Sequence, residues 1–168
     1  MRLFFALWPP AETAFALSLW ARAVQKQAGG RATAEDSIHL TLAFLGDADP
    51  AKAAAAARRV RGEAFELPID VAKYWRHNRI AWVGPAEMPA ALADLAGQLH
   101  RSLEQAGFLL EKRPFAAHVT LVRKAEAPKP IPPLPAVRWP AAEFLLVRSA
   151  PSGAGARYET MKRFSLGR

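Results

Sequence analysis

Two short stretches carry the residues of this chain best suited to chemistry: Ile38-His39-Leu40-Thr41-Leu42 and Ala117-His118-Val119-Thr120-Leu121. Each is an apolar, β-prone run with a histidine and, two residues on, a threonine. Side chains alternate faces along a strand, so His39 and Thr41 share one face while Leu40 and Leu42 turn towards a core. The same parity pairs His118 with Thr120. A polar pair on a core-like strand conflicts with plain burial, and such conflicts gather at functional sites. Imidazole has an unperturbed pKa near ~6.5, so both protonation states are accessible near neutrality. Two imidazoles across one cleft suit displacement at phosphorus. One takes a proton from the attacking water and the other gives one to the leaving oxygen. Threonine hydroxyls would hold the non-bridging oxygens as charge builds on them. Lys124 shares the parity of His118 and Thr120 and could approach a phosphate. Arg123 could do so only if the strand end twists or bulges.

Other chemistries fit poorly. Two histidines without a third clustered ligand make a poor zinc set, and there is no His-Glu-x-x-His or Asp-x-Asp. No P-loop or dinucleotide glycine motif occurs, so neither a metal nor another cofactor is expected. The chain has no cysteine, which removes disulfides and thiolate chemistry and fits a cytoplasmic protein. No run of about 18 apolar residues exists, so no membrane span is expected. The net charge of +8 over 168 residues suggests a polyanionic partner, nucleic acid first. His77 lies in a polar turn beside Trp75 and Arg76 and reads as an exposed turn residue. His100 lies beside a leucine stripe and reads as a boundary residue.

The elements that must position the two motifs repeat. Residues 2–8 read as a strand and 11–28 as a helix with Leu17, Ala21, Val24 and Ala28 on one face, stopped by Gly29-Gly30. A His-Thr strand follows at 36–45, and Pro50 opens a short Ala-rich helix to about Arg61. Residues 64–75 and 79–84 read as two strands, with Pro68 marking an edge or a bulge in the first. A second long helix spans 87–106, with Leu92, Leu95, Leu99 and Leu103 on one face, and the second His-Thr strand spans 115–124. Five prolines between Pro128 and Pro135 form an ordered, semi-stiff connection. Strands at 141–149 and 156–165 flank a turn at 151–155. Pro10-Ala11-Glu12 is echoed by Pro85-Ala86-Glu87, and Ala28-Gly29 by Ala106-Gly107. One domain, 1–168, is expected, built from an internal repeat of roughly 2–78 and 79–166 about an approximate two-fold axis.

These residues resemble the two-histidine phosphoesterase superfamily, whose members carry two His-x-(Thr/Ser)-x motifs, one per lobe. They are most similar to its RNA 2′,3′-cyclic phosphodiesterase branch, also called 2′-5′ RNA ligases. The likeness lies in Arg2-Leu3-Phe4-Phe5-Ala6-Leu7, His39-Leu40-Thr41-Leu42-Ala43-Phe44-Leu45-Gly46, Arg113-Pro114-Phe115 with His118-Val119-Thr120-Leu121, and Ala156-Arg157-Tyr158-Glu159. Ala116-Ala117 stand where Arg-Pro or a similar pair is common. The resemblance implies an α+β fold of two pseudo-symmetric lobes, each an antiparallel sheet with helices packed outside, around a central cleft. It implies a hydrolase that opens an RNA terminal 2′,3′-cyclic phosphate to a 2′-phosphate without metal; the same chemistry reversed, with a 5′-hydroxyl replacing water, would form a 2′-5′ linkage, and a monomer is expected. His39 would be the donor to the leaving 3′ oxygen and His118 the base, although the near-symmetry lets these roles exchange. Two other readings use the same residues. One is an enzyme for small nucleotide cyclic phosphates or 2′-5′ oligonucleotides; the other is a non-catalytic RNA-end binding module.

Overall fold

The leucine and alanine spacing of the two long helical segments is what the core is built on. A computed structural model of the protein describes residues 1–153 and 155–167. The chain runs β1 (Arg2–Leu7), α1 (Ala11–Ala28), β2 (Arg31–Ala32), a 3₁₀ turn (Glu35–Ser37), β3 (Leu40–Asp47), α2 (Pro50–Ala57) and β4 (Phe65–Glu66). It continues through β5 (Val71–Trp75), β6 (Ile80–Gly84), α3 (Ala90–Gln105), β7 (Val119–Arg123), β8 (Pro140–Ala141), β9 (Glu143–Ser152) and β10 (Gly155–Ser165). The expected apolar faces are the buried ones: Leu17, Ala21, Val24 and Ala28 in α1, and Leu92, Leu95, Leu99 and Leu103 in α3. Each leucine so buried contributes on the order of 1.5–3 kcal/mol over an exposed one.

The fold is α+β. One sheet has the order β10-β9-β1-β3 and a second the order β2-β7-β6-β5; β4 and β8 form a small ribbon. All pairings in these sheets are antiparallel. The units β1-α1-β3 and β6-α3-β7 correspond, since β1 pairs with β3 as β6 pairs with β7. The helices are exchanged between the sheets. Helix α1 leaves β1 but packs on β2 and β7, and α3 leaves β6 but packs on α2 and β3. That exchange ties the two lobes through one continuous core containing Phe5, Leu17, Ile38, Leu99, Leu121 and Phe144.

Several boundaries differ from the sequence expectation for identifiable reasons. The strand expected at 64–75 is two, β4 and β5, with Pro68 in the gap, where a missing N–H interrupts the ladder. The long helix begins at Ala90 because Pro89 sits as its N-cap residue. The proline-rich connection is held against α1: Trp20 Nε1 donates to the Pro132 carbonyl and Gln27 Nε2 to that of Pro130, both at 2.9 Å. The turn expected at 151–155 includes position 154, which lies outside the described residues. No helix of the described residues is long and apolar enough to cross a membrane.

Candidate active site

Each motif histidine sits one residue before its strand rather than inside it. The partner strand is the cause. The ladder of β1 gives way to Trp8-Pro9-Pro10 and that of β6 to Pro85, and proline has no N–H with which to continue pairing. Both freed segments fasten their imidazole in the same way. His39 Nδ1–H donates to the Ser37 carbonyl at 2.7 Å, and His118 Nδ1–H to the Ala116 carbonyl at 2.9 Å. A carbonyl can only accept, so the ring hydrogen is on Nδ1, and Nε2 is left as the basic atom of each ring.

Past the threonine, the two strands share an irregularity. In β3, Thr41 lies opposite Ala6 and Ala43 opposite Phe5, so Leu42 is an extra residue. In β7, Thr120 lies opposite Trp82 and Val122 opposite Ala81, so Leu121 is extra. Each is a β-bulge, and each reverses the parity of the residues beyond it. Arg123, not Lys124, therefore shares the face of His118 and Thr120. The expectation for Lys124 rested on unbroken alternation, which the bulge removes. Lys124 stands beyond the strand end at φ 57, and its carbonyl accepts from Arg79 Nη2 at 3.3 Å. The end of β7 is pressed against Gly30, where a Cβ would lie 2.4 Å from the Arg123 carbonyl oxygen. Only glycine allows that approach, and its φ of 88 also favours glycine.

The surroundings of the imidazoles differ. His39 stacks on Trp8 at 4.8 Å between centroids and 12° between planes, with Tyr158 edge-on at 5.2 Å and Phe4 at 5.1 Å. Burial among these rings pushes its pKa down to about 4. The Ser37 carbonyl works the other way, while the charges of Arg123 and His118 lower it further. His118 lies against Trp75 at 4.8 Å and Trp82 at 6.1 Å. Burial lowers its pKa too, opposed by the Ala116 carbonyl and assisted by Arg123. One guanidinium thus acts on both rings, and His118 acts on His39, so the two motifs share one electrostatic site.

His118, Thr41, Phe44, Trp75, His77 and Arg113 line a cavity of about 680 Å³, whose lining does not include His39, Thr120, Arg123 or Lys124. Thr120 is half-buried opposite Trp82. His77 is an exposed turn residue, as its sequence suggests, on the rim of this cavity and 5.9 Å from Trp75. His100 does more than border the leucine stripe: its Nε2–H donates to the Leu42 carbonyl at 2.9 Å. The sequence alone does not single out Trp8, Trp75, Trp82 and Tyr158 as walls of the histidines. Trp8 follows β1, Trp75 ends β5, and Trp82 and Tyr158 lie inside β6 and β10, so no common spacing marks them.

The profile of the LigT-like phosphoesterase family matches residues 7–82 and 83–150. The chain is 37% identical over 170 residues to a protein of Escherichia coli (strain K12) named RNA 2′,3′-cyclic phosphodiesterase, covering 98% of this chain and 96% of that one. A protein of the same name from Thermus thermophilus is 33% identical over 99% of this chain and 90% of its own length. The crystal structure of E. coli LigT complexed with 3′-AMP superposes with a TM-score of 0.90 at 34% identity, covering 99% of this chain and 98% of that chain. The complex of the same protein with phosphate gives 0.86 at 33% identity over the same shares. With a matching profile across most of its length and a relative of this identity, the chain belongs to the LigT-like phosphoesterase family.

Proposed function

We propose that the protein hydrolyses the terminal 2′,3′-cyclic phosphate of RNA to a 2′-phosphomonoester, without metal, through His39 and His118. The observation that carries this reading is the matched fastening of the two imidazoles. Each donates Nδ1–H to the carbonyl two residues back, so each has Nε2 free to exchange a proton. The bound phosphorus would lie between them. One Nε2 takes a proton from water as its oxygen attacks phosphorus, and the other imidazole, protonated, gives its proton to the departing 3′ oxygen. Burial and Arg123 hold both rings largely neutral in the free protein. A bound phosphodiester anion offsets the guanidinium charge and allows one ring to carry the proton. Arg123 would hold the non-bridging oxygens together with the Thr41 and Thr120 hydroxyls. Lys124, exposed past the strand end, would add to the positive field at the mouth.

The names of the relatives, RNA 2′,3′-cyclic phosphodiesterase, support the substrate class. The same chemistry run backwards, with an RNA 5′-hydroxyl in place of water, would form a 2′-5′ linkage. The reading takes 1–168 as one bilobal domain, its halves 2–78 and 79–166 related by the matched motif strands, acting as a monomer in the cytoplasm. The test is incubation with a short RNA ending in a 2′,3′-cyclic phosphate in the presence of EDTA. A 2′-phosphate product, lost in both His39→Ala and His118→Ala, is expected. A 3′-phosphate product, a requirement for metal, or turnover surviving either substitution would overturn the reading.

A further inference from the structure

The two residues of β2 are Arg31 and Ala32, and β7 fixes where they point. Arg31 lies directly opposite Arg123, and Ala32 opposite Val122. Val122 is fully buried and Ala32 packs on the core, so their side of the ladder faces inward. Residues directly opposite on a ladder present their side chains to one face. Arg31 and Arg123 therefore stand side by side on the other face, the one that carries His118 and Thr120, and both are exposed. The next residue holds β2 in place. Thr33 N–H donates to the Leu121 carbonyl at 2.8 Å, and the Thr33 hydroxyl to the Thr120 carbonyl at 3.0 Å. The first of these bonds satisfies the bulge that turns Arg123 to the cleft. One short segment thus aims Arg123 and lays a second guanidinium beside it.

Like charges directly opposite on a ladder repel, their Cα atoms being only about 5 Å apart. Among the described residues neither arginine has a carboxylate partner. Bound anions would remove that repulsion. The two guanidiniums do not serve the same atoms. The charge of Arg123 lowers the pKa of both imidazoles, and Arg31 is not among the causes at either ring. Arg31 Nη1 lies 3.9 Å from the place a Cβ on Gly155 would take, so its head reaches from the second sheet to the start of β10. Arg31 is thus beside the reacting centre and outside it. A cyclic phosphodiester carries one negative charge, which one guanidinium offsets. A second guanidinium suits a second phosphate, and in an RNA chain that is the diester on the 5′ side of the terminal ribose.

We infer that Arg31 binds the phosphodiester 5′ to the terminal nucleotide, so that the Arg31–Arg123 pair selects the end of an RNA chain over a free cyclic mononucleotide. The inference rests on the cyclic phosphate lying between the two imidazoles. A guanidinium suits the task, because its planar fork of N–H donors takes two oxygens of a phosphodiester at once. A backbone diester carries no base identity. Recognition at Arg31 is therefore of a chain and not of a sequence.

The test compares two dinucleotides that end in the same 2′,3′-cyclic phosphate, one joined by an ordinary phosphodiester and the other by an uncharged methylphosphonate. In the wild type, kcat/KM favours the charged linkage by about tenfold, through KM rather than kcat. Arg31→Gln is expected to erase that preference. It should also lower the slope of log KM against log salt on the charged dinucleotide by about 0.7, the worth of one phosphate contact on a single strand. Arg31→Lys, which keeps the charge, should keep the slope and most of the preference. Three results would overturn the assignment: a wild type blind to the linkage, a preference untouched by Arg31→Gln even where both rates fall, or a lysine variant that behaves as the glutamine one. Wild-type turnover of the methylphosphonate dinucleotide bears on the cyclic phosphodiesterase reading alone, so the two failures are distinguishable.

Discussion

The strands β3 and β7 are near copies in backbone and unlike in surroundings. Both place a histidine before the first ladder residue, fasten it by Nδ1 to the carbonyl two back, and bulge one residue after the threonine. Yet His39 is boxed by Trp8, Tyr158 and Phe4, whereas His118 leans on two indoles at the edge of an open cleft. The larger pKa displacement is accordingly at His39, and its first cause is desolvation. A duplicated backbone therefore does not give two interchangeable imidazoles. The fold supplies the geometry twice, and the neighbouring rings separate the two proton affinities.

Breaking either half tests that comparison most severely. His39→Ala and His118→Ala should each lower kcat by about 10²–10⁴-fold, as read by 2′-phosphate release. A cyclic substrate with sulfur at the bridging 3′ position leaves without protonation. Only the variant lacking the acid should recover activity on it, which assigns the roles. Recovery by both or neither would mean the pair does not divide the work.

Arg123→Gln comes next, with an expected loss of about 10²-fold. It should also move the pH profile to higher pH, because it removes a charge that lowers both imidazoles. A loss without an alkaline shift would take Arg123 out of the shared field. In the wild type, kcat/KM reports the free enzyme, where both histidines lie below 6.5, so its maximum should fall on the acid side of that value. The kcat profile should lie higher, since a bound anion favours both charged rings. A kcat/KM maximum above pH 7 would contradict the burial argument.

The folded state should carry the same asymmetry. The unfolded His39 imidazole takes up its proton near 6.5, while the folded one resists until about pH 4. The folded state thus binds fewer protons between those values. The stability contributed by neutral His39 is complete above about 6.5 and is lost as the pH falls through about 4. Denaturant melts from pH 7 to 4 should show a steeper acid loss in the wild type than in His39→Gln. Parallel curves would show that the ring is not desolvated. The smallest effects are expected at Thr41→Ala and Thr120→Ala, about tenfold or less each, the worth of one hydrogen bond. Full activity in the double variant would exclude both hydroxyls from phosphate contact.

Much of this site is legible in the amino-acid sequence. The two His-x-Thr runs, the helices with their buried faces and the glycine stops all come from periodicity and caps. The bulges do not. Nothing in Thr41-Leu42-Ala43-Phe44 or Thr120-Leu121-Val122-Arg123 marks the extra residue, because the donors to the bulge carbonyls come from His100 and Thr33, far away in the chain. Unbroken alternation therefore turns Lys124 to the cleft instead of Arg123. Strands of two residues, β2 and β8, exist only because a neighbour offers an edge, so propensity is silent about them. The walls of His39 come from β1 and β10, which are adjacent to it only through tertiary pairing.

The sheet that bears His39 joins β1 to β9 and β10 across nearly the whole sequence, whereas the sheet that bears His118 lies within residues 31–123. A chain leaving the ribosome can close the second sheet while Tyr158 has yet to be made. Until then β1 and β3 form a two-stranded ribbon with a bare edge, marginal in water and open to capture by another strand. Competence is therefore a late event of biosynthesis. Tyr158, the wall of the first imidazole that β10 supplies, reaches it only once the hairpin of β9 and β10 has paired with β1.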